Sequence, residues 1–97
     1  MNPEPEDMIV LPPSLDMTEA ADLMGRIARR RDQPVTLNAL GVNYLGTHCL
    51  QILLAAASRW RGKLVRFEFV DHSADFALGL ARMGCRMEDI TSDGSGE

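Results

Sequence analysis

The chain has 97 residues, of which 45% are hydrophobic and 25% charged, and a net charge of −4. That length fits one domain with a modest core and excludes two. The acidic balance excludes the basic footprint of a nucleic-acid binder, and the longest apolar run, residues 52–57, is far too short to insert across a bilayer.

In chain order, residues 1–7 hold two prolines and three acids and read as a flexible tail. Residues 8–11 form an apolar run stopped by Pro12 and Pro13, which predicts a strand. Asp16 opens a helix, with Glu19 completing a capping-box-like pair. Ala20, Leu23, Met24 and Ile27 share one face of it. Arg29, Arg30 and Arg31 suit its carboxyl end, and Pro34 prevents continuation. Val35, Leu37 and Ala39 alternate with Thr36 and Asn38, predicting a second strand.

Residues 40–46 read as a connection. A second helix is expected over 47–61, with Leu50, Leu53, Leu54 and Ala57 inward and Gly62 ending it. Residues 64–70 are rich in Val and Phe and predict a third strand. Ser73 caps a third helix, with Phe76, Ala77 and Leu80 inward and Gly84 at its end. Residues 87–90 suggest a fourth strand, and 91–97 a second flexible tail. The expected fold is α/β: a single domain over 8–90 with a small, mostly parallel sheet and packed helices.

Two stretches resemble the STAS family, which includes the anti-sigma factor antagonists. The family's turn before the first helix corresponds to Pro13, Ser14, Leu15 and Asp16. Its Asp-Ser/Thr-x-Gly-Leu opening of the long helix corresponds to residues 46–50. Gly46 stands where the family has the acid, and Cys49 where it has glycine. The order of elements over 9–90 agrees as well, and the chain is most similar to the small STAS accessory proteins of bacterial chemotaxis systems.

The resemblance implies a non-catalytic protein-binding module in bacterial signal transduction. The implied partner is a kinase with a histidine-kinase-like ATPase domain, most directly a chemotaxis histidine kinase that the chain would bind and modulate. The implied binding surface is Asp16, Tyr44, Leu45, Gly46, Thr47, His48 and Gln51. Thr47 matches the family's phosphoacceptor, where phosphate would meet a helix amino terminus. The plainer expectation for Thr47 is an ordinary helix cap. An anti-sigma factor antagonist switched at Thr47, or a STAS subunit of a lipid-transport ABC complex, are the alternatives.

Chemistry of the chain's own is not expected. Cys49 and Cys85 form no Cys-x-x-Cys pair, which fits free thiols in a cytoplasmic protein. No basic stretch followed by an apolar run opens the sequence, so no signal peptide is expected. His48 and Cys49 are adjacent at a helix start, where a thiol enzyme is conceivable, but neighbours on a helix diverge by about 100°. Asp71, His72 and Ser73 contain the residue types of a triad, yet consecutive residues form no relay; a strand-to-helix turn fits them better. His48, Cys49, His72 and Cys85 lack metal-ligand spacing. No metal or cofactor is therefore expected. The arginines at the helix ends read as solvated charges, with contact to an acidic partner as the sharper alternative. Trp60 is placed at the edge of the core.

Overall fold

A computed structural model describes residues 8–95. The order is β1 (Met8–Val10), β2 (Ser14–Leu15), α1 (Met17–Ala28), β3 (Val35–Ala39), β4 (Tyr44–Leu45), α2 (Thr47–Gly62), β5 (Arg66–His72), α3 (Ala74–Arg82), a 3₁₀ turn (Met87–Ile90) and β6 (Ser92–Asp93). The architecture is α/β, with a mostly parallel sheet, as the alternation of periods predicts. The tail expected over 1–7 lies outside the described residues.

The main sheet has the order β1-β3-β5-β6. β1 and β5 flank β3 in parallel, with Ile9 opposite Leu37 and Leu37 opposite Phe69. A register shift after Leu37 passes over Val70, so Asn38 faces Asp71. One face of the sheet is apolar because β3 alternates strictly: Val35, Leu37 and Ala39 are buried while Thr36 and Asn38 are half-buried. Against that face the rings run from Trp60 of α2 through Phe67 and Phe69 to Phe76 of α3. Neighbouring centroids are 5.5, 6.4 and 5.4 Å apart, in the tilted and edge arrangements that aromatic quadrupoles favour.

The inward stripe of α2 is as expected, with Leu50, Leu53 and Ala57 buried and Leu54 packed against the core. Trp60 is more deeply placed than the core edge. It is 3% exposed, and its Nε1 donates to the Gln33 carbonyl at 2.6 Å. That bond satisfies the one polar atom a buried indole carries. In α1, Leu23 and Ile27 are buried, but Met24 points outward and is 57% exposed.

Several expectations need correction. Residues 87–90 form a 3₁₀ turn rather than a strand, because the Asp89 carboxylate accepts from the Arg86 N–H at 2.8 Å and closes the chain locally. Ser92 and Asp93, assigned to a tail by composition, pair antiparallel with β5 as β6. Ser92 is buried and its hydroxyl donates to the Val65 carbonyl at 2.8 Å. The domain therefore extends to at least Asp93. Gly62 does not supply the left-handed residue that closes α2. Lys63 is the cap and Leu64 takes φ +60°. At the end of α3 the expected glycine does that work, with Gly84 at φ +78°.

Candidate functional site

The connection 40–46 is not featureless. Tyr44 and Leu45 pair in parallel with Ser14 and Leu15, forming a separate two-stranded sheet. Asn43 and Tyr44 N–H groups donate to the Pro13 carbonyl at 2.7 and 3.2 Å, and Gly46 N–H to Leu15 at 2.8 Å. Alternate residues point inward, so Leu15 and Leu45 enter the core while Ser14 and Tyr44 stay outside. A helix follows each strand: α1 after Asp16, α2 after Gly46. The small sheet thus sets two helix amino termini side by side, and with them the two halves of the expected surface.

Asp16 caps α1. Its carboxylate accepts from the Thr18 N–H at 3.0 Å and from the hydroxyls of Thr18 and Ser14. The Thr18 hydroxyl, with help from Ser14 and the backbone, holds the carboxyl below its ordinary range. Across the junction the Cys49 thiol donates to the Asp16 carbonyl at 3.4 Å. Cys49 is fully buried, and burial raises its pKa, with Asp16 and Glu19 acting in the same direction. A nucleophilic thiol needs the opposite shift. The His48 side chain lies instead along the groove between α1 and α2.

Thr47 is the first residue of α2 and not its cap. Gly46 is the cap residue, with extended backbone and no side-chain hydrogen bond, which corrects the expectation of a threonine cap. A side chain at Gly46 would meet the Leu15 carbonyl at 3.1 Å and the Tyr44 ring at 3.3 Å. Any side chain there would need the Tyr44 ring or the Leu15 carbonyl to give by a few tenths of an ångström. Thr47 is exposed, and its hydroxyl lies 3.8 Å from the Met83 sulfur. It borders a hollow of about 260 Å³ between the β4 segment and α3 that Tyr44, Asp75 and Arg82 also line.

The expected surface residues are thus brought to one end of the molecule but divide by orientation. Tyr44 and Thr47 face α3, His48 and Gln51 face α1, and Asp16 caps the neighbouring helix. Leu45 is 5% exposed and Gly46 is buried, so these two shape the surface from beneath instead of presenting side chains to a partner. Ser73 is a structural cap: its hydroxyl accepts from the Phe76 N–H at 3.0 Å and donates to the Val42 carbonyl. Asp71 and His72 are not part of the turn: they end β5, paired with Asn38 and Ala39, so of the triad-like run only Ser73 makes the expected strand-to-helix turn. Among the described residues, no three His, Cys, Asp or Glu side chains are grouped to hold a metal ion. Among them, too, no helix is long and apolar enough to cross a membrane.

What sequence reasoning missed is the groove beside α1. It measures about 570 Å³ and is lined mainly by apolar side chains, with Arg31 and Arg59 at one end. The available signal was a second periodic row on α2, through His48, Ile52, Ala55 and Arg59, partly hidden by its modest hydrophobicity. Comparison of the chain with protein-family models, curated proteins and solved structures finds no match.

Proposed function

We propose that this chain is a non-catalytic STAS-type binding module of bacterial signal transduction, an accessory protein that binds and modulates a chemotaxis histidine kinase. The observation that carries the reading is the β2–β4 pair, which joins the Asp16 turn to the exposed Tyr44 and Thr47 at the start of α2. Those are the two segments whose sequence resembles the family's. A docking surface built on a rigid helix end has little ordering entropy to lose on binding. The raised pKa of buried Cys49 also argues against thiol chemistry at this end.

A phosphoswitch at Thr47 is the second reading. It is favoured by the exposed hydroxyl at the first position of α2 and by Arg82 on the wall of the same hollow. Phosphate there would add about two negative charges to the surface.

The test is a photo-crosslinking residue at Tyr44, introduced in the native host, with mass spectrometry of the captured product. The reading expects a histidine kinase whose autophosphorylation rate changes when the purified chain is added. Capture of a transporter ATPase, or a captured kinase indifferent to the chain, would overturn it.

A further inference from the structure

Helix α2 presents two rows of side chains. The first packs into the core. The second, His48, Ile52, Ala55 and Arg59, faces the groove at spacings i, i+4, i+7 and i+11. On the opposite wall α1 supplies Ala20, Met24 and Ile27 at the first three of those spacings, and Arg31 follows in the turn just past the end of the helix. The β2–β4 pair sets the two helices off from adjacent starts, so the rows run in the same direction. Eleven residues of helix span about 16 Å, the length of three turns. Two such rows with small residues between them form the kind of trough in which a third helix can lie.

Charge specifies the occupant further. The groove lining contains Arg31, Arg59 and His48 and no Asp or Glu, in a chain whose net charge is −4. Arg59 lies 3.7 Å from Asp32, a pair about half-exposed on both sides and correspondingly weak. Among the described residues Arg31 makes no salt bridge. Arg59 stands in the last turn of α2 and Arg31 in the turn that follows α1, so both lie at the carboxyl-end side of the groove. A helix docked antiparallel brings its amino terminus there, where its own dipole favours acidic side chains. Met24, exposed and flexible at the rim, is suited to repacking on such a surface.

We propose that the groove between α1 and α2 receives an amphipathic helix of a partner protein, about three turns long, with Asp or Glu in its first turn against Arg31 and Arg59. This surface is separate from Tyr44 and Thr47 and shares only His48 and Gln51 with the kinase-binding surface. It stands whether or not the kinase reading does.

The experiment selects binders to the full chain from a displayed library of 15-residue helices with an apolar stripe and randomised charges. Selected peptides are then titrated against wild type, Ala55→Glu and the pair Arg31→Glu/Arg59→Glu, each checked for an unchanged thermal melt. Ala55 is exposed, so its substitution fills the groove without entering the core. The proposal expects acidic residues enriched in the first turn, binding lost in Ala55→Glu, and at least tenfold weaker binding in the arginine pair variant. It is overturned if no binder emerges, if binders show no acidic bias, or if Ala55→Glu binds them unchanged. A third variant tests the chain's own acidic segment as occupant. If Glu4→Lys/Glu6→Lys/Asp7→Lys binds the peptides more than tenfold tighter than wild type, the groove belongs to that segment and the proposal falls. Affinity within threefold of wild type supports a separate partner.

Discussion

The β1–β3 and β2–β4 pairings are both parallel, yet they are sustained by different means. β3 lies inside a four-stranded sheet, with neighbours on both sides and three buried residues of its own. β2 and β4 have two residues each and pair only with one another. A ladder that short contributes little. What holds it is one inward leucine per strand, and the helix that each strand feeds. The main sheet makes the core; the small one aligns two helix starts at the surface. The contrast shows how two strands of two residues each can fix one end of the molecule in place.

The largest expected effect tests whether the small sheet is truly part of the core. Leu45→Ala should cost about 2–5 kcal/mol, the range for emptying a buried leucine site. Leu45 is well placed for such a loss, since its side chain also fills the space beside Gly79, where an added Cβ would lie 3.1 Å from the Leu45 Cβ. Chemical denaturation measures it. A cost below about 1 kcal/mol would mean that the β2–β4 pair is a surface attachment.

The same contrast explains what could be read from the sequence. β3 and the core row of α2 were legible because several residues repeat one period. Two-residue strands contain no period, so Ser14–Leu15 and Tyr44–Leu45 look like loop until their pairing is seen. β6 is hidden for a related reason. Ser92 and Asp93 have tail-like composition, and it is the Val65 carbonyl, distant in sequence, that satisfies the buried serine. At the candidate site the resemblance singled out positions near Asp16 and Thr47, and the structure brings those positions to one end, but their division between two faces was not legible. That division depends on where α1 and α3 pack against α2. The cap was misread because Thr47 is the better capping residue by type, while at the true cap the Leu15 carbonyl and the Tyr44 ring crowd the place of any side chain.

A smaller effect sharpens the comparison through pH. Cys49 seals the junction between the small sheet and α2, and burial raises its pKa above the ordinary value of 9.0. The neutral thiol is thus favoured in the folded state. Its contribution is complete below about pH 9 and declines as pH rises from there toward the folded pKa, because the unfolded chain releases the proton first. Thermal melts of wild type and Cys49→Ala at pH 8 and 10 should show a steeper alkaline loss for wild type. Parallel losses would mean that water reaches the thiol and that the junction is looser than the sheet beside it.

The smallest effect on stability is the most informative about function. The first turn of α2 contains no acidic residue, and its cap makes no side-chain hydrogen bond. Thr47→Glu places a negative charge at the first position of that helix, where the dipole favours it by about 0.3–1 kcal/mol. The melting temperature should therefore rise by a few degrees, given roughly 4–8 °C per kcal/mol in a domain of this size. Thr47→Ala should stay within about 0.5 kcal/mol of wild type, since the hydroxyl is not a cap and has only the Met83 sulfur beside it. Binding should move the other way. If the kinase surface includes Thr47, the glutamate variant binds more weakly although it is more stable, and the alanine variant binds nearly as wild type does. Opposite signs in the two measurements exclude misfolding as the cause of weaker binding. Glutamate supplies one charge where phosphate supplies about two, so titration is paired with mass spectrometry of Thr47 in protein from the native host. Weaker binding of Thr47→Glu together with a phosphorylated Thr47 would make this residue the switch as well as part of the surface. Unchanged binding of both variants, with Thr47 unmodified, would move the surface away from the α3 side of the helix and leave the α1 groove as the place to look.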